Sequence, residues 1–298
     1  MKKYAAIDIG SNAIRFLIVS ILSNNSLKQY KKINFVRVPI RLGGDVFVNN
    51  KISKNKTNQL ISALKSFKIL MSINKVHKYK ICATSAMREA RNSKKIIKEV
   101  YDTLKLNINV ITGKEEASII ANVFFKDYNG YKNLLYIDVG GGSTELTIIN
   151  NGNTITSRSF KIGTVRMLNS IINKNIWLEY ENWINTNIKG CDNMSTIASG
   201  GNANKILKLS GKKIAEPISI NLFEKIYKEL KKHSFEERVL ILNLNPDRAD
   251  VIIPAAEIYL RSMKYSNSKQ VIIPRIGLAD GIIRKIDSNK YYGDILSK

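Results

Sequence analysis

The chain is poor in the residues that staple or metallate small folds. Its 298 residues include two cysteines and two histidines. Cys82 and Cys191 are far apart and in no CxxC spacing, which excludes a disulfide scaffold and reads as reduced thiols of a cytoplasmic protein. His77 and His233 stand 156 residues apart, so neither a histidine-based metal site nor a Ser-His-Asp triad has local support. Long apolar runs are also missing. The longest nearly unbroken one, Phe16 to Leu22, is interrupted by Ser20 and falls far short of the roughly 20 residues a membrane span needs. The N-terminus meets Asp8 before any apolar stretch of signal-peptide length, so no export is expected. Acids are scarce too, 24 against 48 Lys and Arg.

With 44% hydrophobic residues the balance is that of a globular protein, and the length suits two domains at about 150 residues each. The net charge of +24 points to a polyanionic partner such as nucleic acid, polyphosphate or a membrane surface. Lys outnumbers Arg 36 to 12, and Lys, Asn and Ile all have AT-rich codons, so part of this charge reflects composition. Its distribution is uneven. Residues 1–127 carry 24 bases and 8 acids, net +16, while residues 128–298 carry 24 and 16, net +8.

An internal repeat organises the chain. The pattern YAAIDIG followed by AIRFLIVSIL returns as LLYIDVGGG followed by TELTII, with Asp8 over Asp138 at a separation of 130 residues. A period that long means duplication of a whole domain. Strand patterns (YKICA, NINVITG, STIASG, QVIIP) alternate with amphipathic segments Lys56 to Ser72, Ser85 to Lys105, Lys114 to Asp127, Leu222 to Lys232, Arg248 to Met263 and Gly277 to Asp287. The class is α/β. The boundary is expected near Tyr128 to Lys132, at the Asn129-Gly130 turn, giving domains of 1–127 and 128–298.

The strongest chemical signal is DVGGGSTE, Asp138 to Glu145. A strand that ends in an acid and turns through three glycines lets backbone N–H groups approach an anion, while the acids can hold Mg²⁺ through water. The first copy, Asp8 to Asn12, is shorter and gains its weight from the duplication, which would set two phosphate-cradling turns facing each other across an interdomain cleft. In ATSAMREARN, Thr84 or Ser85 is a candidate helix cap and Arg88 a candidate phosphate ligand in the first turn. In ITGKEEASIIANVF, Glu115 and Glu116 both lie at a helix start. Glu116 shares its face with Ile120 and Val123, which must pack inward, so Glu116 is the better candidate for a partly desolvated general base. FKIGTVR (Phe160 to Arg166) and ASGGNANK (Ala198 to Lys205) are further glycine junctions that suit anion binding or plain tight turns.

In order along the chain, IDIGSNAIRFLI, RLGGD (Arg41 to Asp45), ATSAMREA, ITGKEEA, IDVGGGSTEL, KIGTVRM, SGGN, DRADVIIPAAEI and IGLADGI resemble the exopolyphosphatase / guanosine pentaphosphate phosphohydrolase family. The resemblance implies two duplicated actin-like, ribonuclease-H-like domains with an active-site cleft. It implies Glu116 as the base that activates water, and Arg88, counted with it among the catalytic residues, as a phosphate binder. It gives Asp8, Asp138 and Glu145 as acids around Mg²⁺, and Ser11, Asn12, Gly140, Gly141, Gly142 and Ser143 as phosphate binders, which Gly200 and Gly201 join on the anion-binding reading of the ASGGNANK junction. Ser118 stands where the family usually has Arg, Ala13 where Ser or Thr is common, and Asn202 where Thr is usual; these departures bear on nucleotide recognition more than on hydrolysis. The C-terminal HD-type, His-rich module of longer family members is not expected in a chain with two histidines. The implied activity is release of terminal orthophosphate from inorganic polyphosphate, with guanosine pentaphosphate as the alternative substrate. Nucleic acid and membrane are not expected as partners; a homodimer is left open. An actin-like-fold kinase and a catalytically idle polyanion-binding protein are the rival readings.

Overall fold

The computed structural model of the chain describes residues 1–23, 28–127, 131–173 and 175–288. It divides into two compact units, residues Met1–Ile120 with Leu278 onward, and Ala121–Gly277.

In the first unit the chain runs β1 (Lys2–Ile9), β2 (Ile14–Ser23), β3 (Lys28–Val38), α1 (Leu42–Asn49), α2 (Lys54–Ile73), β4 (Lys78–Ala83), α3 (Ser85–Glu89), α4 (Ser93–Leu104), β5 (Ile108–Val110) and α5 (Gly113–Asp127), the last crossing the division. The strand order is β3-β2-β1-β4-β5, antiparallel through β1, β2 and β3 and parallel through β1, β4 and β5. β1 and β2 are almost wholly buried, and Phe16 stacks on Phe67 of α2 with ring centroids 4.6 Å apart. Cys82 lies in this core, where burial pushes its thiol up to about 12, so it is inert at neutral pH.

The second unit runs β6 (Asn133–Val139), β7 (Thr144–Asn150), β8 (Asn153–Phe160), α6 (Thr164–Leu168), α7 (Asn175–Asn187), β9 (Ser195–Ser199), α8 (Gly201–Leu209), β10 (Ile218–Ser219), α9 (Ile220–Lys232), α10 (Phe235–Leu240), α11 (Pro246–Ala249), α12 (Ile252–Tyr265) and β11 (Gln270–Ile272). Its sheet repeats the first: β8-β7-β6-β9-β11, with β10 added at the edge. The copies agree in detail. Each second strand breaks register with its third at the same place, between Ile18 and Val19 and between Ile148 and Ile149, ten residues beyond the aligned aspartate. Two α/β units with this shared order are the actin-like, ribonuclease-H-like fold that the duplicated motif implies.

Three expectations differ from the structure. Helix α13 (Leu278–Asp287) belongs to the first unit, where it packs on β1, β2 and β4, so the second unit does not extend to the C-terminus. A Cβ on Gly281 would fall 2.6 Å from Ile119, and a glycine allows that approach. The division at Ile120 precedes the expected boundary, and the Asn129-Gly130 turn lies outside the described residues. The helix expected over Ser85 to Lys105 is two, because Asn92 spends its side-chain amide on both backbone groups of Ile52 and Ala90 is extended. No helix among the described residues is long and apolar enough to cross a membrane.

Candidate active site

In the first unit the carboxyl ends of β1, β4 and β5 lie side by side, and the chain that follows them carries Ser11, Asn12, Arg88 and Glu116 close to Asp8 of β1. Asp8 ends β1 opposite Arg15 on β2; its carboxylate is 2% exposed and held by the Arg15 guanidinium at 2.5 Å. Ser11 bonds Ser85 across 2.8 Å, which joins the DIGSN turn to the start of α3. The turn itself is closed by Gly10 N–H to the Ala13 carbonyl, 3.1 Å. Its Ser11 and Asn12 carbonyls accept from the backbone N–H groups of Gly43 and Arg41 at 2.8 and 3.0 Å. The RLGGD segment is therefore the buttress of this turn.

Arg88 is the fourth residue of the five-residue α3, where first and last turn overlap, and its Nη1 donates to the Ile111 carbonyl at 2.8 Å. It ties α3 to Ile111, which leads through Thr112 into α5. Thr84 occupies the N-cap position of α3 but its hydroxyl makes no capping bond.

The two adjacent glutamates part company at the start of α5. Glu115 is exposed and closes a capping box: its carboxylate accepts from the Thr112 N–H at 2.7 Å and the Thr112 hydroxyl at 3.0 Å, while its own N–H donates to that hydroxyl at 3.1 Å. The Thr112 backbone and side-chain bonds hold the Glu115 carboxyl below the usual carboxylate range. Glu116 is 8% exposed, on the side of Ala117, Ile119 and Ile120, which are buried. Asp8 is paired with Cys82 across β1 and β4, and the negative charges of Asp8 and Glu116 both add to the upward push that burial gives the Cys82 thiol. Side-chain placement of Val123 lies outside the described residues.

In the second unit Asp138 faces Glu145 directly across β6 and β7. Side chains opposite each other on paired strands share a face. Glu145 is buried, and its Oε1 accepts from Ser143 at 2.6 Å and Ser159 at 2.8 Å. Gly200, at φ +110°, lies beside Asp138: a Cβ there would be 3.4 Å from Oδ1 and 3.2 Å from the Tyr259 hydroxyl. Only glycine combines that backbone angle with that approach.

The glycine turn is held from behind. Gly140 N–H closes it on the Ser143 carbonyl at 2.9 Å. The Gly140 carbonyl accepts from Thr164 N–H at 3.0 Å, the Gly141 carbonyl from Val165 and Arg166 N–H at 2.9 and 3.3 Å, and the Gly142 carbonyl from Arg166 Nε at 2.7 Å. All three carbonyls thus point at the start of α6. In a trans peptide the following N–H points the opposite way, so the N–H groups of Gly141, Gly142 and Ser143 face away from α6 together. They meet no acceptor among the described residues, although all three residues are buried. A set of backbone N–H groups aimed one way from such a turn is a cradle for an anion.

These residues fit a divalent cation unequally. Asp138 and Glu145 put two carboxylates side by side, the hard oxygen donors that Mg²⁺ takes while keeping several waters. Asp8 already has a guanidinium as its counter-charge. Among the described residues no three His, Cys, Asp or Glu side chains gather as a ligand set. Arg15 was not singled out from the sequence, yet the repeat alignment marks it: Asp8 and Arg15 stand seven residues apart, as do Asp138 and Glu145.

Comparison with known proteins gives consistent relatives. The model of the Ppx/GppA phosphatase family matches residues 30–289. A bifunctional 3-dehydroquinate synthase/phosphatase of Fusobacterium nucleatum is 30% identical over 295 residues, covering 90% of this chain and 44% of that protein. A guanosine-5'-triphosphate,3'-diphosphate pyrophosphatase of Aliivibrio fischeri is 32% identical over 165 residues, 55% of this chain and 32% of that protein. The chain spans less than half the length of these curated relatives. Among solved structures, an exopolyphosphatase from Cytophaga hutchinsonii aligns with a TM-score of 0.86 at 19% identity over 98% of this chain and 100% of that one. The Aquifex aeolicus member of the Ppx/GppA family aligns at 0.77 and 21% identity over 98% and 99%. At these identities the likeness is one of fold.

Proposed function

The chain belongs to the Ppx/GppA phosphatase family, and from that premise we propose that it is an exopolyphosphatase, releasing terminal orthophosphate from inorganic polyphosphate. The observation that supports this most is the glycine turn of the second unit, whose three inward carbonyls turn three N–H groups the other way, towards an anion. Tetrahedral oxyanions with several acceptor oxygens suit such a turn.

The Gly141, Gly142 and Ser143 amides bind and orient the terminal phosphoryl group and stabilise the charge that grows on it during in-line displacement. Asp138 and Glu145 would hold Mg²⁺, which supplies further neutralisation of phosphoryl charge when bound. Glu116, buried on the inward face of α5, orients water and takes its proton. Arg88 locks the Ile111 carbonyl and so fixes the start of the helix that carries Glu116. Asp8 with Arg15, and the Ser11–Ser85 bond, keep the first turn in shape. The Ser11 and Asn12 turn and the Gly200-Gly201 junction bind further phosphate oxygens, and the basic residues 1–127 retain the remaining polyanion.

Guanosine pentaphosphate is the second substrate reading, favoured by the name of the Aliivibrio relative; Ser118, Ala13 and Asn202 weigh against it. Phosphate release from long polyphosphate, short polyphosphate and guanosine pentaphosphate, measured side by side with and without Mg²⁺, separates the readings. Fastest release from polyphosphate, dependent on Mg²⁺, is the expected result. Turnover of guanosine pentaphosphate alone would move the assignment to the nucleotide, and binding of polyphosphate without hydrolysis of either would remove the enzyme reading.

A further inference from the structure

Arg166 is 7% exposed and carries a guanidinium into the interior of the second unit. Ordinary helix arginines are solvated, and a buried one needs a reason. Its Nε donates to the Gly142 carbonyl at 2.7 Å. The other two carbonyls of the turn are held by main-chain N–H groups of Thr164, Val165 and Arg166, which any residue there would supply. The third is held by a side chain. The first unit offers the contrast: its corresponding carbonyl, that of Asn12, accepts from the backbone N–H of Arg41.

The consequence follows from peptide geometry. The Gly142 carbonyl and the Ser143 N–H belong to one planar unit and point in opposite directions. Fixing the carbonyl inward fixes the amide outward. Gly142 has no Cβ to restrict this peptide, so without an anchor the unit can rotate and bury its N–H instead. The backbone behind it leaves no slack elsewhere. A Cβ on Gly163 would fall 2.5 Å from the main-chain atoms of Gly141 and Gly142, so the turn rests directly on the chain that begins α6.

We propose that Arg166 is a positioning residue for oxyanion binding: its bond to the Gly142 carbonyl aims the Ser143 amide at the bound phosphate. The proposal rests on the reading of the glycine turn as a phosphate cradle. It differs from a role for Arg166 as a charge alone, because a lysine at this position keeps the charge while its ammonium lies beyond the place of Nε and cannot make the same bond.

The test compares the parent, Arg166→Ala and Arg166→Lys by thermal unfolding, by affinity for inorganic phosphate in titration, and by kcat and KM on polyphosphate. Losing a bond to the anion's cradle should weaken phosphate affinity about tenfold or more in Arg166→Ala, with added guanidinium ion recovering part of it. Arg166→Lys should also bind several times more weakly than the parent while unfolding near the parent temperature. Phosphate affinity of a folded Arg166→Ala within twofold of the parent overturns the proposal, as does a loss that guanidinium leaves untouched. Should the alanine variant not fold, the lysine variant decides: weaker phosphate binding supports the bond, and parental binding overturns it. Phosphate titration needs no turnover, so failure of the parent to hydrolyse polyphosphate would defeat the substrate reading while leaving Arg166 to be judged by phosphate affinity.

Discussion

Glu115 and Glu116 are chemically identical neighbours, and the structure gives them different work, which makes their substitution the most discriminating experiment. Glu115 is exposed and belongs to the capping box with Thr112. Glutamine can replace glutamate in that box, because its amide oxygen still accepts the Thr112 N–H. What Glu115→Gln loses is the carboxylate's interaction with the helix dipole, about 0.3–1 kcal/mol at an exposed site. The sign of its pH dependence follows from the lowered folded-state pKa. The charge of Glu115 stabilises the fold above the ordinary glutamate value, and that stabilisation fades as pH falls through the folded-state value. The unfolding temperatures of parent and Glu115→Gln should therefore converge in acid. Glu116→Gln instead removes a buried carboxylate from the inward face of α5. A general base contributes about 10²–10⁴ in rate, so Glu116→Gln should lose that much in kcat on polyphosphate with KM changed little, while Glu115→Gln stays within severalfold of the parent. Phosphate release with circular dichroism on the same samples separates turnover from folding. Equal losses in kcat, or a larger loss in Glu115→Gln, would refute both the facing argument and the assignment of the base.

Three further outcomes are expected. Asp138→Asn and Glu145→Gln should raise the Mg²⁺ concentration needed for half-maximal phosphate release, whereas Asp8→Asn, which removes the carboxylate paired with Arg15, should cost about 1–3 kcal/mol of stability with the Mg²⁺ response unmoved; an equal Mg²⁺ shift in all three would return Asp8 to the cation. Gly163→Ala places a methyl group 2.5 Å from backbone that has nowhere to go, so it should lower stability by about 1–3 kcal/mol and abolish phosphate binding together; parental phosphate affinity would mean that the turn is not built on α6. If the +16 charge of residues 1–127 serves long polymers, affinity for long polyphosphate should fall more steeply with salt than affinity for a short chain, and equal slopes would assign that charge to composition.

The duplicated strand-turn-strand was legible in the sequence because two signals coincide there: nearly unbroken apolar runs, which the structure buries along their length, and an acid-x-glycine ending. IDIG and IDVG are short, but with their flanking apolar runs they mark β1–β2 and β6–β7 almost to the residue. The edge strands were harder. β3 reads KQYKKINFVRV, with lysines where a core strand has branched apolar residues, and it carries them because its outer edge is not covered by another strand of the sheet. The helix break at Ala90–Asn92 could not be read, since it rests on an amide-to-backbone pair reaching 40 residues back to Ile52. The return of α13 to the first unit was hidden for the same reason. Nothing local in IGLADGI says which sheet it will cover, although Gly281 marks a close approach to something.

The candidate site shows most clearly where sequence and structure part. A repeat alignment supplies positions but not the differences between copies that give each position its chemistry. Asp8 and Asp138 occupy equivalent strand ends, yet the residue facing the first is Arg15 and the residue facing the second is Glu145. One cross-strand difference sets an acid–guanidinium pair in the first copy against two facing carboxylates in the second. The turns that follow have diverged in the same sense. The first is buttressed by main-chain donors from Arg41 and Gly43, and the second adds a buried guanidinium. The second copy thus gathers carboxylates on one strand pair and outward amides on the adjoining turn, while the first copy supplies Glu116 on a helix whose start is fixed by Thr112, Glu115 and Arg88. Duplication provided two equal frames, and on the proposed reading a few substitutions made in one copy alone divide between them the binding of phosphate and the activation of water.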